Sequence, residues 1–305
     1  MQRRVLLTGA NGFIGRACIG PLAARGFEIH AVGRTVPAVH DAGVIWHRHD
    51  LLVPGEPARI VEAVRPTHVL HMAWYTVPGK YWTAPENAEW VAASVALARA
   101  FERAGGARFV GAGSCSEYAP SERDCDERAT PLAPATVYGT SKHAVRREIA
   151  AIAEGRLSFA WGRIFFLYGP HEDPSRLVSG VIRSLQDGRE ALCTAGTQVR
   201  DFMHVDDVGD AFAALTDSDV DGAVNIASGR PVRIAEIVLS IARQMDAERL
   251  VRLGARPTPD GELPAITASI ARLRDEVRWP GGRDLPLGLS ETIAWWRTAL
   301  REPRR

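Results

Sequence analysis

The chain has 305 residues, 46% of them hydrophobic and 24% charged, with a net charge of +1. That length supports a large core in one large domain or two coupled ones, and the composition is ordinary for a soluble globular protein. Near-neutrality gives no long-range attraction for nucleic acid or an anionic membrane surface, so neither is an expected partner. No apolar run approaches the ~18 residues that a membrane-spanning helix needs. Residues 1–4 lead straight into a strand-like segment with no cleavable-signal pattern. Cys18, Cys115, Cys125 and Cys193 show neither a C-x-x-C pair nor zinc-type spacing. Reduced thiols in a cytoplasmic protein without a metal site are therefore expected.

In chain order, residues 5–8 read as a strand that runs into Gly9, Gly12 and Gly15, a G-x-x-G-x-x-G turn opening a helix at 13–25. Glycine allows close backbone approach to a pyrophosphate, and the helix N-terminus offers free N–H groups to the anion. A second strand, 28–32, ends in Gly33-Arg34. An NAD-selective site typically carries a carboxylate there, whereas arginine pairs bidentately with a 2′-phosphate. NADP(H) is thus expected over NAD(H), with a merely solvated Arg34 as the alternative. A third strand, 44–47, precedes Asp50-Leu51, placed to contact the adenine. His47 and His49 lie near by without the further ligands a metal needs. Helical periodicity at 56–65 and 87–104 alternates with strands at 67–72 and 108–112, and a helix at 138–154 precedes a strand at 157–166. Such alternation indicates βαβ units. The expected fold is α/β, a doubly wound, Rossmann-like parallel sheet with a smaller C-terminal substrate lobe. Residues 1–168, with about 199–228, form the dinucleotide domain in this reading, and 169–198 with 229–305 the substrate lobe. Ligands in such sheets bind beyond the carboxyl ends of the strands.

Chemistry concentrates at Tyr138-Gly-Thr-Ser-Lys142. Only two of the 37 basic residues are lysines, Lys80 and Lys142. Positions i and i+4 share a helix face, so the ammonium can sit beside the phenol and bring its pKa down. A lysine, unlike an arginine, has a tunable acidity. The stretch 74–82, with Trp74, Tyr75, Tyr81 and Trp82 around Lys80, reads as an aromatic loop. Stacking on a base or sugar with Lys80 on a phosphate, core packing, and a dimer contact all fit it.

Taken together, these segments resemble the extended short-chain dehydrogenase/reductase family, in its nucleotide-sugar epimerase, dehydratase and reductase branch. The resemblance rests on the glycine turn, on His71-Met-Ala73, on Gly113-Ser114 four residues before Tyr118, and on the Tyr138/Lys142 pair. Tyr168-Gly-Pro170 and the run Arg200-Asp-Phe-Met-His-Val-Asp-Asp207 extend it. It implies that Ser114, Tyr138 and Lys142 are catalytic and that Lys142 also holds the nicotinamide ribose. Gly9, Asn11, Gly12, Phe13, Ile14, Gly15 and Ala73 would then contact the cofactor. Trp74, Lys80, Ser116, Phe166 and Arg200 would contact a nucleotide-sugar substrate. Arg200 would clamp the diphosphate, or else pair with Asp201 or Asp206. Dehydratases of this family carry an acid one or two places after the catalytic hydroxyl. Here Cys115 and Ser116 stand there, and Glu117 is one place too far along an alternating strand, which disfavours dehydration. Phe166 and Trp90 replace asparagines common in the family. The implied reaction is NADPH-dependent reduction of the 4-keto group of a nucleotide-activated 6-deoxyhexose. A nucleotide-sugar epimerase with retained cofactor is the alternative, and an NADP(H)-binding redox regulator the non-enzymatic one. Small residues at Ala92, Ala93, Ala96, Ala100, Ala144, Ala150, Ala151 and Ala153 suit a helical homodimer interface.

Overall fold

The computed structural model describes residues 2–37, 43–119 and 124–299. Strands β1 (Arg4–Thr8), β2 (Glu28–Gly33), β3 (Val44–Arg48), β4 (His68–His71), β5 (Arg108–Ser114) and β6 (Ser158–Ile164) come first. Then follow β7 (Phe166–Tyr168), β8 (Ala191–Leu192), β9 (Val199–His204), β10 (Gly222–Ile226), β11 (Pro231–Arg233), β12 (Val251–Arg252) and β13 (Ala265–Ile266). The helices are α1 (Phe13–Ala24), α2 (Glu56–Val64), α3 (Glu86–Arg103), α4 (Val137–Ala153), α5 (Leu177–Gln186), α6 (Val205–Thr216), α7 (Ile234–Gln244) and α8 (Leu285–Ala299).

The main sheet has seven strands in the order β10-β6-β5-β4-β1-β2-β3, all parallel. Its central members read as continuous apolar runs because helices cover both faces. Val5, Leu7, Ala31, Val110 and Ala160 belong to the core shared with α1 and α6 on one face. Leu6, Val32, Val69, Phe109 and Trp161 belong to the core shared with α2, α3 and α4 on the other. Alternate residues of one strand feed opposite cores, as pleating requires. The order reverses between β1 and β4, and the carboxyl edge at such a reversal is where this architecture binds ligands.

A smaller four-stranded sheet of β7, β9, β11 and β13 carries the second lobe. Helices α5, α7 and α8 close over it, burying Val178, Ile182, Ile237, Ile241, Leu289 and Ile293 at helical spacing. The single strand expected at 157–166 is two. At Phe165, whose N–H donates to the Ile226 carbonyl at 3.2 Å, the chain leaves β6. It then pairs as β7 with β9, Phe166 opposite Phe202. Phe165 itself is buried in a separate small core with Tyr118, Cys125, Ala227 and Ala268.

Candidate active site

A cavity of about 1150 Å³ lies at the carboxyl edge of the main sheet, between it and the second lobe. Phe13, Ile14, Arg34 and Leu52 line one end, and Trp74, Ser114, Ser116, Tyr138 and Phe166 line the rest of the floor and wall. The sequence-derived candidates from both the glycine turn and the Tyr138 helix therefore meet in one space.

At the glycine turn, Gly9 has a φ of +66°, and a Cβ on it would lie 2.7 Å from the Ala73 backbone nitrogen. Only glycine lets the end of β1 close against the end of β4 there. A Cβ at Gly15 would stand 2.1 Å from the Gly9 carbonyl oxygen, so the third glycine lets α1 seat on the turn. Gly12 caps α1 without a side chain, and no acid stands in the first turn. The N–H groups of that turn are thus free for a phosphate, and the residues present fit a dinucleotide. The Asn11 side-chain amide donates to the Thr35 carbonyl, tying the turn to the segment that carries Arg34. The Asp50 carboxylate accepts the Leu52 N–H at 3.1 Å. The Leu51 side chain is buried in the core beneath, and Leu52 lines the cavity.

Ser114 ends β5 and caps a 3-10 turn, Cys115–Glu117, its hydroxyl accepting the Ser116 N–H at 3.2 Å. Glu117 is fully buried. Its carboxylate accepts from the Ser114 N–H at 2.9 Å, from Trp161 Nε1 at 2.8 Å and from Arg163 Nε at 3.2 Å. The expectation that Glu117 faces away from the site holds, but strand alternation is not the reason. The chain has left the strand, and three buried donors turn the carboxylate into the core. Burial pushes the Cys115 thiol up to about 12, so it stays neutral on the cavity wall.

Tyr138 opens α4, which Thr136 caps by accepting the Gly139 N–H at 3.0 Å. A Cβ at Gly139 would lie 2.4 Å from the Ser116 carbonyl oxygen. This glycine, which motif reading passed over, brings the start of α4 against the Ser114 turn and sets the two hydroxyls in one site. Three rings stand edge-on to the phenol: Tyr81 at 4.9 Å, Trp82 at 5.8 Å and Trp74 at 6.5 Å between centroids. Burial pushes the Tyr138 pKa well up, the Tyr81 phenol adds to this, and the Ser114 hydroxyl opposes it. Lys142 Nζ donates to the Ala112 carbonyl at 2.9 Å and lies 5.9 Å from the phenol ring centre. The ammonium is not among the groups that shift the tyrosine pKa in this arrangement, where burial dominates and raises it. Burial brings Lys142 itself down to about 7, partly offset by Glu117. Beneath the pair, His71 is buried, bonded at Nδ1 to the Thr8 hydroxyl at 2.7 Å and at Nε2 to the Ser94 hydroxyl at 2.8 Å.

Of the substrate-side candidates, two stand elsewhere. Lys80 is exposed and off the cavity wall. Arg200 is 2% exposed and also off the wall. Its guanidinium pairs with Glu262 and donates to the Leu263 carbonyl at 2.9 Å. Neither Asp201 nor Asp206 is its partner: Asp201 accepts from Ser228 and Gly229, and Asp206 faces Arg283. Among the described residues, a cation that does line the substrate side of the wall is Arg176, whose guanidinium lies 5.5 Å from the Tyr81 ring centre. Sequence reading gave it no role, because only the folded α5 N-terminus brings it there.

A phenol, a hydroxyl and a buried ammonium at the reversal point of a dinucleotide-type sheet define an enzyme of the nicotinamide-dependent oxidoreductase type. The model of the NAD dependent epimerase/dehydratase family matches residues 5–227, and the chain belongs to that family. It is similar to a UDP-glucose 4-epimerase of Streptomyces lividans, 25% identical over 97% of this chain and 96% of that protein. It is also similar to a GDP-6-deoxy-D-mannose reductase of Pseudomonas aeruginosa, 23% identical over 99% of this chain and all of that one. Among solved structures, MoeE5 in complex with UDP-glucose and NAD superposes with a TM-score of 0.82. It is 28% identical, covering 97% of this chain and 99% of that one.

Proposed function

We propose that this enzyme uses NADPH to reduce the 4-keto group of a nucleotide-activated 6-deoxyhexose. Arg34, on the cavity wall at the end of β2, carries the choice of NADPH and hence of reduction. A guanidinium there suits a 2′-phosphate, and NADP(H) is the usual reducing pool. A reductase and an epimerase both stand among the relatives, so the family alone leaves the direction open. The site adds two arguments. The Tyr138 phenol is protonated, the form from which reduction starts, although burial, by raising its pKa, makes it a weaker acid than a free phenol. The carboxylate nearest Ser114 in sequence is held in the core, away from any role in water loss.

In this reading the first turn of α1 holds the pyrophosphate, Arg34 the 2′-phosphate and Lys142 the nicotinamide ribose. The bound nicotinamide would supply the hydride. Ser114 holds the carbonyl oxygen and Tyr138 gives it a proton, so charge developing on that oxygen meets two hydroxyls in a partly dry site. The aromatic wall, with Trp74, Phe166 and Arg176, receives the nucleotide sugar, and the second lobe closes over it. A homodimer through α3 and α4 belongs to the same proposal: Ala92, Ala96 and Ala151 remain exposed on these helices, whereas Ala93, Ala100 and Ala153 are buried within the chain.

The purified enzyme, given a panel of nucleotide-4-keto-6-deoxy sugars, should consume NADPH stoichiometrically with product. Interconversion of nucleotide sugars without added NADPH would replace reduction with epimerisation. Arg34→Ala should raise the KM for NADPH by about 10–100-fold and leave that for NADH nearly unchanged, given roughly 1.5–3 kcal/mol for a hydrogen bond to a charged group. Equal changes for both cofactors would remove Arg34 from the 2′-phosphate site.

A further inference from the structure

The aromatic loop does more than line the cavity. Lys142 is 4% exposed, and an ammonium so far from water requires something in place of its hydration. One of its three protons goes to the Ala112 carbonyl. On another side stands the Trp74 indole, its ring centre 3.8 Å from Nζ. That separation is well inside the ~6 Å over which an aromatic face attracts a cation. Tyr138, by contrast, is 5.9 Å from the same nitrogen at its ring centre.

The indole is also fixed in this attitude. Its Nε1–H donates to Asn87 Oδ1 at 2.9 Å. Asn87 is fully buried, and its amide donates to the carbonyls of Tyr81 at 2.8 Å and Ala84 at 2.9 Å. Trp90 packs against the ring with centroids 6.2 Å apart. With its only polar atom bonded to α3, Trp74 cannot rotate its face off Lys142 without breaking a buried hydrogen bond.

We propose that Trp74 is a positioning residue for Lys142, its face holding the charged ammonium at the end of β5 beside the Tyr138 phenol. Other titratable groups face the same ammonium: Glu117 from the 3-10 turn favours its charge, and His71 at the end of β4 is held neutral in its presence. Tyr138, one turn back on α4, stays protonated and contributes no charge. The aromatic face and the carbonyl are therefore the close contacts that offset burial. The arrangement depends on neither reduction nor epimerisation, and its test is made on the protein alone.

The chain has two lysines, so protein labelled with 13C at lysine Cε gives two side-chain resonances. Lys80, exposed, is the internal reference. Lys142 should titrate near the value of about 7 that burial imposes. Its Hε protons should be displaced upfield by the indole ring current. Trp74→Leu keeps the site dry but removes the face, and should lower the Lys142 midpoint by about one pH unit, a tenfold loss of ammonium at fixed pH. Trp74→Phe, with a weaker face, should restore part of that shift. An unmoved midpoint in folded Trp74→Leu would overturn the proposal. So would a raised one, because Trp74 would then act chiefly by excluding water. Should Trp74→Leu not fold, an unmoved midpoint in Trp74→Phe, or unmodified protein without the upfield displacement, has the same force.

Discussion

Tyr138→Phe should lower turnover by about 10²–10⁴-fold, the usual contribution of a positioned acid, while NADP(H) binding persists. The substitution removes one oxygen and leaves the ring among Tyr81, Trp82 and Trp74, whose edge-on contacts hold it. Stability should therefore change little. Steady-state rates and a fluorescence titration with NADPH separate the outcomes. Lost turnover with retained binding makes the phenol the proton donor. Unchanged turnover would move that role elsewhere, and a protein that binds NADPH but never turns over in either form would be the regulator. The pH dependence has a definite sign. Lys142 in the free enzyme loses its charge as pH rises through about 7, so kcat/KM should decline above that pH. The phenol, whose pKa burial raises, keeps its proton throughout that window. A flat profile across it would show that the ammonium's charge is not required.

Much of this arrangement is legible in the amino-acid order because it depends on local rules. Strands covered on both faces appear as apolar runs, and β1, β2, β4 and β5 stand within two residues of where those runs place them. Gly9 and Gly15 announce a backbone approach that no other residue permits. The helix face shared by Tyr138 and Lys142 follows from spacing alone, but where the ammonium points does not. Its partners, Ala112 and Trp74, come from other strands and loops. The same limit explains Leu51 and Leu52. Both are apolar, and only the turn that the Asp50 carboxylate organises decides which one faces inward to the core. Arg200 looked free for a phosphate because its partner, Glu262, is sixty-two positions away. Gly139 gave no motif signal, since its meaning lies in the Ser116 carbonyl that crosses it.

Glu117→Ala should destabilise the protein by about 3–5 kcal/mol, the cost of stranding one charge of a buried ion pair. Arg163, at 1% exposure, would keep its guanidinium over the Tyr118 ring but lose its carboxylate, and its Nη1 is already unbonded among the described residues. Denaturant unfolding should show a lower midpoint with the slope preserved. Glu117→Gln, which keeps the shape and an acceptor for the Ser114 N–H, should fall between the two. Adding Arg163→Met to Glu117→Ala should recover part of the loss, since removing both charges leaves neither one stranded. Activity should follow Ser114. With its N–H acceptor gone, the capping box opens and the hydroxyl no longer holds one orientation beside Tyr138, so turnover should fall more in the alanine variant than in the glutamine one. A contrary pattern, in which Glu117→Gln keeps full stability but abolishes turnover, would make the carboxylate a reacting group. The dehydratase reading would then return, because its acid would be the one now assigned to the core.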